Sequence, residues 1–172
     1  MVKYFSVHSM AGLLAFASSQ AGLTQTEQSG QTCQDIDTAS TVAADVANFS
    51  SDGSIDSGPL QGTTHFTGDP ESVVAIVSQV SPPLEPMTFS YTGDTVISAQ
   101  GGVLTLRGAG VFERKPFGAG TLFSRVLTGT GGFAGATGSL YFNFSSDDQG
   151  NLTGTLTGSI CTPTSAPEPP AG

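Results

Sequence analysis

The sequence predicts an all-β fold, a small antiparallel β-barrel of about eight strands, from three observations. Gly, Thr, Ser, Val and Phe are abundant while Lys, Glu and Arg are scarce, a balance that favours strands and turns over helices. Short apolar runs, many alternating with polar residues, recur along the chain between Gly, Asp and Pro turns. No stretch shows a helical period of useful length.

Both ends of the chain are expected to lie outside the folded domain. Residues 1–21 have the features of a secretory signal, with Lys3 before an apolar core and Ser19-Gln20-Ala21 as the cleavage candidate. That apolar core is too short to span a bilayer, and no other segment predicts a membrane anchor. The expected divisions are a signal at 1–21, a flexible leader at 22–32, the β-barrel domain at 33–162 and a disordered Pro-rich tail at 163–172.

The strands are expected at regular spacing. Residues 41–49 predict a first strand or a short helix, because their alanines suit both. Gly93-Asp94 predicts a turn, after which the strand continues beyond a bend. The other predicted strands lie at 58–68, 73–80, 87–92, 95–99, 103–112, 120–127, 139–145 and 151–161.

All three asparagines of the chain, Asn48, Asn143 and Asn151, lie in N-glycosylation sequons, which favours a eukaryotic secretory route. A glycosylated Asn must face solvent, and alternate residues of a strand share a face. With Asn143 outside, Tyr141 is outside too. The residues then expected inside the barrel are Leu140, Phe142, Phe144, Leu152, Leu156 and Ile160.

The two cysteines frame the predicted domain. Cys33 precedes the first predicted strand and Cys161 closes the last one. In an oxidising compartment they are predicted to form a disulfide. Two unrelated buried thiols are the alternative.

Composition argues against several function classes. The net charge is −9, from 14 acidic and 5 basic residues, so the clustered cations that nucleic acids require are missing. Of the two histidines one lies in the signal, and neither a nucleophile elbow nor a P-loop is present. We therefore expect no metal and no cofactor.

Rare polar groups inside predicted strands are the candidate chemical residues. Tyr91, Arg125 and His65 are the candidate catalytic residues, because a polar group in an apolar pocket can polarise a substrate oxygen. A structural salt bridge or a surface position is the alternative for each. The residues expected to bind substrate are Met87, Phe89, Arg107, Phe123, Phe142 and Phe144.

The densest glycine segment is Gly129-Thr130-Gly131-Gly132-Phe133-Ala134-Gly135-Ala136-Thr137-Gly138, between two predicted strands. Phe133 is expected to plug an apolar end of the barrel while the chain reverses around it. A dinucleotide fingerprint would need a helix after the glycines, and a Phe-rich strand follows instead. A glycine-rich hairpin without family meaning is the other interpretation.

The spacing G-T-G-x-F-x-x-A-x-G resembles a signature of dirigent proteins and of the wider group of allene-oxide-cyclase-like barrels. The resemblance implies a small antiparallel barrel with an apolar cavity. It also implies cofactor-free chemistry on a hydrophobic small molecule, and fungal dirigent-like hetero-Diels–Alderases are the members expected to be most similar.

Two functions follow as expectations. The first is a secreted cyclase that steers cyclisation or a hetero-Diels–Alder cycloaddition of a hydrophobic natural-product intermediate. The second is a non-catalytic secreted barrel that binds a ligand or is merely packed. A cavity of several hundred cubic ångströms lined by Phe, Tyr and one buried Arg or His would favour the first. Assembly into a homo-oligomer is compatible with either.

Overall fold

A computed structural model describes residues 30–45, 47–76, 88–113 and 118–164. These residues are all-β apart from two single-turn 3-10 helices, Pro70–Ser72 and Gly131–Phe133. The strands are β1 (Gln31–Asp45), β2 (Ser50–Ile55), β3 (Gly62–Gly68), β4 (Val74–Ile76), β5 (Thr88–Ala99), β6 (Gly102–Glu113), β7 (Ala119–Gly129), β8 (Thr137–Ser146) and β9 (Asn151–Pro163).

The strands form a closed antiparallel barrel of eight strands, which confirms the predicted fold class. The sheet order is β3-β2-β1-β9-β8-β7-β6-β5, and the barrel closes because β3 also pairs with β5, with Gly62 opposite Ala99. β4 is an additional strand that pairs with residues 88–90 of β5, beyond the end of β3. It is the described part of the strand predicted at 73–80; residues 77–80 lie outside the described residues.

The N-terminal strands differ most from the prediction. β1 begins at Gln31, inside the expected leader, and is a strand rather than a helix up to Asp45. Its first thirteen residues, up to Ala43, pair with β9, so backbone hydrogen bonds hold a segment whose apolar pattern is weak. Its inward positions include Thr38 and Ser40, and these buried hydroxyl groups hide the alternation. The polar strand β2 was not predicted at all, for the same reason.

Gly93 is a second correction. It lies within β5 instead of forming the predicted turn, and it pairs with Gly68 and Gly108 on the two neighbouring strands. A Cβ at this position would overlap the ring of Phe66. The glycine therefore provides space for an aromatic side chain and does not reverse the chain.

One end of the barrel is closed by the glycine-rich segment between β7 and β8. Phe133 is 7% exposed and packs into the main apolar core, as the sequence predicts. Gly131 and Gly135 have φ values of +61° and +70°, which favour glycine, and the Gly132 N–H donates to the Gly101 carbonyl at 2.7 Å. Other buried members of this core are Ile36, Ile55, Leu60, Ile97, Leu104, Leu106, Leu140, Leu156 and Ile160. We call this the closed end.

A disulfide joins Cys33 to Cys161, which confirms the predicted pairing. The two residues are direct cross-strand partners on β1 and β9. The bond links the start of the barrel to its last strand across 128 residues of sequence. The chain-entropy model gives such a loop about 4–5 kcal/mol of stabilisation.

Candidate ligand cavity

A cavity of about 660 Å³ fills the half of the barrel opposite the closed end. All eight barrel strands contribute to its wall. It reaches the barrel end where Asp45, Pro70 and Glu113, all exposed, belong to its lining. We call this the open end. The volume is within the range of small-molecule sites.

Aromatic rings form the wall on the β3–β5–β6 side. Tyr91 makes edge-to-face contacts with Phe49, Phe66 and Phe112, at centroid distances of 5.9, 5.8 and 5.6 Å. Phe89 stacks on Phe112 at 5.4 Å. Such pairs add to the free energy of burying the rings and hold them in fixed orientations.

Inward glycines on adjacent strands leave the space that these rings occupy. A Cβ at Gly110 would lie 2.6 Å from the hydroxyl oxygen of Tyr91. A Cβ at Gly120 would overlap the ring of Phe144, and that ring stacks on Phe142 at 5.3 Å. Large and small residues thus alternate around the wall, so the rings lie against the strands and the centre stays open.

Tyr91 is the buried titratable group of the cavity wall. It is 7% exposed, and burial raises the pKa of its phenol. Its hydroxyl group makes no hydrogen bond to any side chain or backbone group of the described residues. The group therefore stays protonated at neutral pH and has a proton to donate to a ligand oxygen.

Smaller hydroxyl groups lie deeper in the cavity. Ser124 on β7 is 5% exposed and lines the cavity. Its cross-strand partner is Gly108 on β6, which in turn pairs with Gly93 on β5. Ser40 donates to the Ser54 carbonyl at 2.8 Å, so its donor is already used. The Thr95 hydroxyl is buried and has no hydrogen-bond partner among the described residues. The interior is thus apolar with a few uncharged donors.

Phe49 was not predicted as a cavity residue. It has φ of +48°, a left-handed conformation that costs about 1–2 kcal/mol for a residue with a side chain. Its ring packs on Phe66 and Tyr91, and its carbonyl accepts from Gly68 N–H at 2.8 Å. These contacts offset the strain. Phe66 and Phe112 were also missed. Each has a charged or titratable neighbour in its strand, and that neighbour lies on the opposite face. This alternation was the sequence signal that both rings point inward.

Four predicted site residues lie inside as expected. Tyr91, Phe89, Phe142 and Phe144 all line the cavity. Leu140, Leu152 and Leu156 line it too, and Ile160 lies in the core, so the predicted inward set is confirmed. Met87 lies outside the described residues.

The placement of Arg125 and Phe123 in the cavity is wrong. Both point outward from β7, where the inward residues are Leu122 and Ser124. Phe123 is 36% exposed and packs against Tyr141, its partner on β8, at 4.9 Å. Tyr141 was expected outside, so the β7–β8 register would have placed Phe123 outside as well. That register is known only from the tertiary structure.

The placement of His65 and Arg107 in the cavity is also wrong. His65 is exposed on the outer face of β3, where Nδ1 lies 2.7 Å from Asp52 and Nε2 lies 3.0 Å from Thr67 Oγ1. Arg107 is exposed on β6 and pairs with Asp94 at 3.4 Å. Both are the surface pairs that stood as alternatives.

The sequon asparagines lie on the outside, at or near the open end. Asn48 and Asn143 are exposed, and Asn151 is half-buried. The Asn48 side chain donates to Asp45 at 2.6 Å and the Asn151 side chain donates to Asp147 at 2.8 Å. These hydrogen bonds lower the pKa of both carboxyl groups. Glycosylation at the three sites stays a prediction.

The described part of the chain lacks two further features. It contains no cluster of three or more His, Cys, Asp or Glu side chains that is placed to hold a metal ion. It also contains no helix of sufficient length and apolarity to cross a membrane. In comparisons with known proteins, no family model matches the chain, and neither a curated protein nor a solved structure matches it significantly.

Proposed function

We propose that the barrel binds a hydrophobic, oxygen-bearing small molecule and steers its cyclisation or hetero-Diels–Alder cycloaddition without a cofactor. The observation that carries this proposal is the cavity of about 660 Å³ with Phe walls and the buried phenol of Tyr91. Cycloadditions need no nucleophile. They need a substrate that is held in a folded conformation and a hydrogen-bond donor to its carbonyl oxygen. The Phe walls of this cavity would supply the first and the phenol of Tyr91 the second.

Tyr91 is the proposed catalytic contact. A hydrogen bond to a carbonyl lowers the energy of its acceptor orbital and strengthens as charge builds on the oxygen. Phe89, Phe112 and Phe142 would hold the reacting chain against one face, which reduces the entropy lost in the transition state and sets stereochemistry. The resemblance of residues 129–138 to dirigent-like barrels supports the same class of chemistry.

The test uses an enone tethered to an alkene, a substrate that cyclises slowly in water by itself. Purified protein without added cofactor should accelerate the reaction and change the product ratio. Tyr91→Phe should slow the catalysed reaction by roughly 100-fold or more, because one donor in a dry site is lost. Phe123→Ala, on the outer wall, is the matched control and should behave like the unaltered protein. A product ratio equal to that of the spontaneous reaction would contradict the proposal.

A non-catalytic ligand-binding barrel is the second candidate. One observation favours it: the described lining residues include no His, Arg or Lys, so the buried Arg or His expected of a cyclase is not among them. In this case the enone would bind, with its affinity reduced by Tyr91→Phe, but would react at the spontaneous rate. Binding and rate measured on the same sample separate the two candidates.

A secretory location is part of the proposal. The disulfide is consistent with an oxidising compartment, and the outward sequon asparagines are accessible to glycan transfer. Expression in a secreting eukaryotic host followed by intact-mass measurement tests it. A mature chain that still carries residues 1–21, or that bears no glycan, would contradict it.

A further inference from the structure

We propose that the cavity selects its ligand by charge: it takes neutral oxygenated lipophiles and rejects their carboxylate forms. This inference rests on the proposed binding function and names its ligand class. It is carried by the chemistry of the wall and by the charges at the open end.

The wall offers hydrogen bonds but no compensating charge. The polar side chains that the described strands place in the cavity wall carry hydroxyl groups, among them those of Tyr91 and Ser124, and the charged lining residues at the open end, Asp45 and Glu113, are both acidic. A hydroxyl donor suits a ketone, ester or alcohol. An ionised carboxylate moved from water into this apolar wall would lose its hydration without gaining an ion pair, which is costly.

By sequence, acidic residues outnumber basic ones in the chain segments that connect the strands at the open end. The antiparallel topology brings four connections to this end: β1–β2, β3–β5, β6–β7 and β8–β9. Two basic residues, Arg114 and Lys115, belong to them by sequence. Seven acidic residues belong to the same connections or to the strand ends beside them: Asp45, Asp69, Glu71, Glu85, Glu113, Asp147 and Asp148. This balance of charge in the connecting segments disfavours the approach of an anion.

The expected discrimination follows from protonation of the ligand. A carboxylic acid could enter in its neutral form, and with an ordinary pKa near 4.3 roughly one molecule in 500 is neutral at pH 7. Its apparent affinity should then be at least about 100-fold below that of its methyl ester at pH 7. The acid should bind about tenfold more tightly for each pH unit between 7 and 5, while binding of the ester should stay level.

The experiment compares cis-parinaric acid with its methyl ester, using the fluorescence gain on transfer to an apolar site, from pH 5 to pH 7.5. Tight ester binding with the predicted pH slope for the acid supports the inference. Equal binding at pH 7 overturns it but leaves the binding function standing. Binding of neither probe overturns the inference and contradicts the binding function.

A variant that removes basic residues from the β6–β7 connection gives a second test, because substitutions in a connection between strands should leave the fold intact. Arg114→Gln with Lys115→Gln should leave the ratio of ester to acid affinity at pH 7 unchanged or raise it. If the unaltered protein bound the acid well and this variant lost that binding, a cation at the entrance would be pairing with the carboxylate, which is the opposite of the proposal. Phe123→Ala again serves as the outer-wall control.

A second observation is independent of the cavity. Phe123 and Tyr141 form an exposed aromatic pair on the outer wall, 36% and 46% exposed. Asn143 stands two residues beyond Tyr141 on the same face of β8, about 7 Å along the strand, and diagonal to Phe123. The geometry points to an N-glycan on Asn143 whose first N-acetylglucosamine lies on this aromatic pair.

The chemistry of this contact is simple. One face of the sugar ring presents C–H groups, which pack on an aromatic face as an apolar surface does. The contact would cover an apolar patch that water otherwise wets. Asn48 lies in a turn beside Asp45, away from this pair, so its glycan would make no such contact.

The test is a double-mutant cycle on protein secreted from a eukaryotic host. Asn143→Gln should lower the unfolding midpoint by about 2–4 °C, the effect expected of one aromatic contact in a chain of this size. In the background of Phe123→Thr with Tyr141→Thr the same change should have no effect. Asn48→Gln is the control and should have the same effect in both backgrounds. An Asn143 found unglycosylated by peptide mass, or equal effects of Asn143→Gln in both backgrounds, overturns the inference.

Discussion

At the scale of the residue, Tyr91 is the buried hydrogen-bond donor on which the proposed function depends. Three aromatic rings surround it, glycine at position 110 leaves room for its hydroxyl group, and burial raises its pKa. The phenol is thereby kept neutral and oriented while still free to donate. A surface tyrosine such as Tyr141 has the same functional group without this fixed environment.

Tyr91 also makes stability depend on pH in a definite direction. Its folded-state pKa is raised above the unfolded value near 10, so its contribution is fully present below pH 10 and is lost as the pH rises above it. We expect the free energy of unfolding to fall above pH 10, by up to about 1.4 kcal/mol per pH unit from this group. Urea denaturation between pH 9 and 11 measures it. Tyr91→Phe should remove this component, and Tyr141→Phe should leave it in place.

At the scale of the element, glycine in a strand acts through space. Gly93→Ala should destabilise the fold by about 1–3 kcal/mol, because its Cβ would overlap the Phe66 ring beside the cavity. Gly101→Ala is the matched control, since its Cβ would lie 3.5 Å from Phe133, an ordinary contact distance. Chemical denaturation of the two variants should separate them. Equal losses would mean that backbone entropy, rather than the ring, governs position 93.

The pairing of β1 with β9 is the second element-level feature. Cys33→Ser with Cys161→Ser should lower the free energy of unfolding by about 2–5 kcal/mol, since the crosslink spans most of the barrel. The barrel should persist, because thirteen residue pairs still join the two strands. Denaturation with and without a reducing agent measures the loss. A reductant effect in the double variant would show that the disulfide is not its cause.

At the scale of the whole molecule, the barrel divides into a packed end and an open end. Phe133 fills the closed end, and Phe133→Ala should cost about 3–5 kcal/mol through the cavity it creates. Phe123→Ala, on the outer wall, should change stability by less than about 1 kcal/mol. Calorimetry of both variants tests this division of the molecule. Similar losses would mean that the glycine-rich segment is not a structural plug.

The sequence alone was sufficient for the fold class, the disulfide, the plug at Phe133 and the inward faces of β8 and β9. These depend on composition, on strand alternation and on sequons that orient a strand. It was also sufficient to predict that Tyr91 lies in the cavity wall, because Tyr91 shares an apolar strand face with Phe89.

The tertiary structure decided which face of the other strands points inward. Alternation with period two defines two faces, but without cross-strand register either face of a strand with mixed residues can be the inner one. Phe123 and Arg125 stand outside because β7 pairs with β8 in the register that places Phe123 beside Tyr141. The polar strands β1 and β2 likewise form because neighbouring strands supply their backbone hydrogen bonds. A hydrophobic pattern in the sequence does not predict such pairing.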